Sequence, residues 1–83
     1  MDIRILKSLL SFDFYNENKA NLSKNLFEDE IQDAYVTISQ AHEKHQHDLI
    51  PADIMALWQN QNPVATRSDQ EAFAGIVDLI NTI

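Results

Sequence analysis

The stretch Glu28–Gln46, E-D-E-I-Q-D-A-Y-V-T-I-S-Q-A-H-E-K-H-Q, decides how this chain folds. Ile31, Ala34, Tyr35 and Ile38 follow one another by three and four residues, the spacing of one face of an α-helix. Glu28, Asp29 and Glu30 crowd the first turn, where carboxylates suit the positive end of the helix dipole. Phe27 leads into the pattern. Continuing by four and seven from Ile38 reaches His42 and His45, so these histidines extend the core stripe toward the helix end. The longest helix of the fold is therefore expected here.

On its N-terminal side a first helix is predicted from about Asp2 to Ser11 or a little beyond. Ile3, Leu6, Leu10 and Phe14 share one stripe, and Ile5, Leu9 and Phe12 form a second on nearly the opposite side. A helix apolar on two faces is either central to its domain or half covered by a partner. From Asp13 to Asn25 the asparagines favour turns and caps, so a short second helix should end near Leu22 and give way to a loop.

On the C-terminal side, Pro51 opens a fourth helix at a first-turn position, where its missing N–H costs nothing. Ile50, Ile54, Leu57 and Trp58 share its inner face, and N-Q-N-P, Asn60 to Pro63, ends it. Ser68 and Glu71 read as a capping box, S-D-Q-E, before a fifth helix with Phe73, Ile76, Val77 and Ile80 inward. Gly75 inside that helix costs about 1 kcal/mol against Ala, which suggests a close helix contact there. Trp58 and Tyr35, spaced among aliphatics, read as core residues.

The composition agrees. The 83 residues make one domain, 1–83, with one glycine and two prolines, too few for the many turns of an all-β fold. Such a chain should bury roughly 60–65% of its unfolded surface and reach a radius of gyration of ~12 Å. The fold class expected is all-α, a compact bundle of about five helices. The absence of cysteine excludes disulfides, thiolate metal sites and a cysteine nucleophile. The start M-D-I-R-I-L-K-S-L-L carries charges through its apolar run, unlike a signal peptide, and no run is long enough for a membrane span. A cytoplasmic location is the expectation. The formal charge of −7, with Arg4, Lys7, Lys19, Lys24, Lys44 and Arg67 scattered, opposes binding to a nucleic-acid backbone.

One octad looks like chemistry: A-H-E-K-H-Q-H-D, Ala41–Asp48, with three histidines and two acids. A helical zinc protease needs H-E-x-x-H, and H-E-K-H is one residue short. His42 and His45 remain weak metal candidates, without a third ligand on their face. Glu43 lies about 100° round the helix from His42, and His47 points away from both. The favoured reading places His42 at the core margin and the others at a solvated helix end. With Gly75 alone there is no phosphate loop or dinucleotide fingerprint, and no G-x-S-x-G surrounds any serine. No catalytic or cofactor-binding residue is assigned, and the chain by itself does not read as an enzyme.

Several strings resemble the N-terminal domain of DnaB-like replicative DNA helicases, most closely the T-even-like phage type. I-L-K-S-L-L-S-F-D-F-Y, Ile5 to Tyr15, is similar to that domain's first helix and the start of its second. L-F-E-D-E-I-Q-D-A-Y-V-T-I, Leu26 to Ile38, resembles the run into its long helix, and D-L-I-P-A-D-I-M-A-L, Asp48 to Leu57, its proline-headed fourth. E-A-F-A-G-I-V-D-L-I, Glu71 to Ile80, resembles the next one. The resemblance implies a non-catalytic interaction and assembly domain that forms the ring collar and docks primase or a helicase loader.

It also implies that ATP and Mg are bound only in a C-terminal ATPase domain missing from this chain. The chain would then be the N-terminal fragment of an ATP-dependent DNA helicase, and the end L-I-N-T-I, lacking glycine, proline or a basic residue, fits that expectation. The alternatives are the helicase-binding domain of a primase, a small loader or adaptor, or a histidine-based metal hydrolase. Protein partners, self-association among them, are expected, with little direct nucleic-acid binding and no membrane. The contact residues expected are Ile5, Leu9 and Phe12, then Val36 and Met55, apolar but off their inner stripes.

Overall fold

Ser11 breaks the N-terminal apolar run in two. In the computed structural model, which describes residues 3–83 apart from the Glu30 side chain, α1 spans Ile3–Ser8 and α2 spans Phe12–Asn18. Ser11 sits between them in extended conformation and caps α2, its hydroxyl accepting from the Phe14 N–H at 3.4 Å. The expected single helix running to Ser11 is thus corrected to a helix and a corner; its expected start at Asp2 lies outside the described residues. Leu6 in α1 and Leu9 in the turn directly after it are both fully buried; three residues apart, with the Leu9 N–H still donating to the Ile5 carbonyl, they are neighbours on one side of the segment.

After α2 come two single 3-10 turns, Lys19–Asn21 and Lys24–Leu26. The long helix follows as α3, Asp29–His45. It buries Ile31, Ala34, Tyr35, Ile38, Ala41 and His42, the spacing anticipated from sequence. Gln46 stops it by entering the left-handed region at φ 54°, its N–H donating to the His42 carbonyl at 2.9 Å.

Helix α4, Pro51–Gln61, starts at the proline, with Asp53 accepting from the Ile50 N–H at 3.1 Å. Ile50 was expected on the inner face but is 60% exposed. As the extended cap residue it points out, and Leu49 takes the buried place. Asn62 closes the other end, its side chain donating to the Trp58 carbonyl at 2.8 Å.

The last helix, α5, spans Arg67–Thr82 and is capped two residues earlier than Ser68. The string T-R-S-D-Q-E holds two overlapping boxes, and the first one forms. Thr66 Oγ1 accepts from the Asp69 N–H and Asp69 accepts from the Thr66 N–H, at 3.1 and 3.3 Å. Starting here frees Glu71 to pair with Arg67 one turn back, at 3.2 Å. Phe73, Val77 and Ile80 are buried, with Ile76 half-buried beside them.

Helix α5 lies against α4 and α1, and α3 against α4, α1 and α5, so one core serves the five α-helices of the described residues. Its radius of gyration is 11.9 Å. Leu6, Leu9, Ile38, Ile54 and Ile80 form the driest part. Phe27 stacks on Tyr35 at 4.7 Å and Trp58 on Phe73 at 4.5 Å. Among the described residues no helix is long and apolar enough to cross a membrane.

Gly75 is corrected as well. It is exposed, its φ is not positive, and a Cβ built on it would meet nothing within 4 Å. No close helix contact explains it. Gly75→Ala should therefore stabilise the domain by about 0.5–1 kcal/mol, through helix propensity and a less flexible unfolded chain. Urea denaturation checks it; a lower midpoint in the alanine variant would contradict the open space.

Candidate functional site

The octad Ala41–Asp48 sits where α3 ends, directly against the α1–α2 corner. A helix end leaves its last carbonyls without partners, and a helix start leaves its first N–H groups so. At this corner both sets are met from the octad and the residue after it. His42 Nε2 lies 2.5 Å from the Leu9 carbonyl. Since a carbonyl only accepts, Nε2 carries the proton. The Leu49 N–H donates to the Leu10 carbonyl at 2.8 Å, and Asp48 Oδ1 accepts from the Phe12 N–H at 2.8 Å. Tyr15 completes the clasp, its hydroxyl donating to Glu43 Oε1 at 2.9 Å.

His42 is therefore not at the core margin but inside the core, with no exposed surface. Its ring stacks on Tyr15 at 4.6 Å and tilts against Phe12 at 5.5 Å. Nδ1 is buried without a hydrogen-bond partner among the described residues. His45, expected to extend the core stripe, is exposed instead, because α3 stops there. Its ring lies 5.6 Å from that of His47, whose Nδ1 is 2.7 Å from the Asp48 carbonyl. The two weak metal candidates thus part company: His42 is spent on Leu9 and His45 faces solvent. Among the described residues no group of three or more His, Asp or Glu side chains is arranged to hold a metal ion.

Glu43 also meets Lys19 at 3.6 Å, an exposed pair of the kind that contributes little. The Tyr15 phenol matters more. Burial, and after it the hydrogen bond to Glu43, pushes its pKa from the ordinary 10.0 up to about 12. The folded chain then holds this proton more tightly than the unfolded chain does. Its contribution is fully present below pH 10 and should be lost as the pH rises from 10 toward about 12. Urea midpoints should fall more steeply across that range in wild type than in Tyr15→Phe. Parallel curves would show that the phenol does not set the alkaline limit.

The residues expected to meet a partner divide. Leu9 is fully buried beneath the corner and is not a surface residue; it lies three residues from buried Leu6, on the same side of the α1 segment. Ile5, Val36 and Met55 are half-buried and lie against the core, and Phe12 is half-buried with its ring tilted against His42. Val36 lines a hollow of about 340 Å³ with Asp33, Thr37 and Trp58. That hollow adjoins a larger groove of about 570 Å³ between α3, α4 and α5, and the two share Asp33, Trp58, Gln61 and Asn62. Ile5, Phe12 and Met55 do not line the groove.

The groove was not read from sequence, because three segments far apart in the chain build it. Trp58 and Phe73 form its floor, with Val64 at the lip and Asp29, Asp33 and Asp69 among its lining. Val64, 92% exposed in the α4–α5 loop, was the available signal: an apolar residue next to Pro63 where turn residues prevail. The geometry defines an all-α domain whose chemistry-like cluster is a structural clasp and whose surface carries an acid-rimmed groove floored by Trp58 and Phe73. Comparison with known protein families, characterised proteins and solved structures finds no match to the chain.

Proposed function

We propose that this chain is a non-catalytic protein-interaction and assembly domain, in the setting its sequence resembles. That setting is the N-terminal collar of a phage-type replicative DNA helicase, which would dock primase or a helicase loader. The observation that carries this reading is how the polar cluster is used. His42, Glu43 and Asp48, the residues most like a reaction centre, are each engaged in hydrogen bonds that hold the α1–α2 corner. The surface meanwhile keeps an open groove with an aromatic floor and an acidic rim, and exposed Leu26, Ile50, Val64 and Leu79.

The test is complex formation. The chain, mixed with the primase or the loader encoded in the same genome, should co-migrate with one of them on gel filtration. A chain that runs alone against every replication protein of that genome would overturn the reading.

A further inference from the structure

We infer that the groove between α3, α4 and α5 captures a segment of a protein partner that presents Arg or Lys beside a bulky apolar side chain. This rests on the interaction-domain reading and names the chemistry of the contact. The apolar half of the argument is the floor. Trp58 and Phe73 stack almost parallel at 4.5 Å, and Val64 extends the same apolar surface outward at the lip. The volume of about 570 Å³ falls within the range of ligand-binding clefts and gives room for a pair of large side chains.

The charged half is the rim. Asp29 and Asp33 stand one turn apart on α3, and Asp69 lies across from them in the first turn of α5. Among the described residues no cationic side chain lines the groove. Asp29 takes one long hydrogen bond, 3.3 Å, from Gln32, and Asp69 accepts from the Thr66 N–H. The Asp33 carboxylate makes no hydrogen bond or ion pair among the described residues. Arg67, at the start of α5, is already paired with Glu71. Three carboxylates around an apolar floor thus lack a counter-charge, and one supplied by a partner would be fixed in place by the adjoining hydrophobic anchor.

Charge also sorts the possible occupants. A nucleic-acid backbone and an anionic membrane surface both meet acids where they need bases. A second copy of this chain brings a further formal charge of −7. A basic, apolar protein segment is the occupant that fits.

The probe is a fluorescein-labelled amphipathic peptide with Leu and Arg at i and i+4 on one face, compared with the same peptide carrying Glu for Arg. Binding is read by anisotropy and by the emission of Trp58, the only tryptophan. Saturable binding of the Arg peptide alone, with a change in Trp58 emission and weakening at high salt, is expected. Asp33→Lys and Val64→Glu, both at exposed positions, should each weaken it by about tenfold or more while circular dichroism stays unchanged. Equal binding of both peptides, indifference to both variants, or equally tight binding of free arginine amide would overturn the proposal. So would a dimer of the chain that Val64→Glu dissolves, which would make a second copy the occupant. Peptides that fail while the chain still co-migrates with primase or loader would sink the groove alone. Failure of both experiments would sink the interaction reading too.

Discussion

Replacing Trp58 by Ala is expected to cost about 3–5 kcal/mol, the range for removing a large aromatic from a core. Trp58 is 6% exposed, stacks on Phe73 at an interplanar angle of 10°, and forms the seam between α4 and α5. A domain of this size has little to spare, since total stabilities run to about 5–15 kcal/mol. The variant should therefore melt far below wild type or fail to fold at room temperature. Trp58→Phe separates two contributions: it keeps an aromatic stack on Phe73 and should recover part of the loss. An alanine variant with an unshifted urea midpoint would mean that the ring is not part of the core, and the floor of the groove would go with it.

Much of this arrangement is legible in the sequence. The spacing of Ile31, Ala34, Tyr35 and Ile38 placed α3, Pro51 placed the start of α4, and Phe73, Val77 and Ile80 gave the inner face of α5. What periodicity could not show were choices between near-equal local options. Ser11 could continue a helix or cap a new one, and its extended backbone with the hydroxyl accepting from the Phe14 N–H shows that it caps. Thr66 and Ser68 both offered a capping box; the Arg67–Glu71 pair accompanies the earlier one. Gly75 invited an argument from close contact that open space contradicts.

The site was less legible than the fold, for a related reason. Helical spacing put His42 on the core stripe but said nothing of the Leu9 carbonyl, 33 residues away in the chain. The groove likewise joins Asp33, Val64 and Phe73, which no local pattern connects.

Truncating His42 should have an effect second only to Trp58. His42→Ala removes a fully buried ring from between Phe12 and Tyr15 and leaves the Leu9 carbonyl without its donor. The stranded carbonyl alone costs about 1–3 kcal/mol, and the vacated volume adds a cavity cost that depends on how far the two aromatics collapse. A loss of about 3 kcal/mol is expected in all. Two further variants apportion it. His42→Gln keeps an N–H donor at a similar reach, whereas His42→Phe keeps a ring and loses the donor. Both should fall between wild type and alanine in urea midpoint. Hydrogen exchange supplies the local readout, because the Phe12 and Leu49 amides are bonded across this same corner. In His42→Ala they should exchange much faster while amides in the middle of α5 lose less protection. If His42→Phe matched wild type in both measurements, ring volume alone would hold the corner. If His42→Ala matched it, the octad would be no clasp at all, and three histidines in eight residues would again need a chemical explanation.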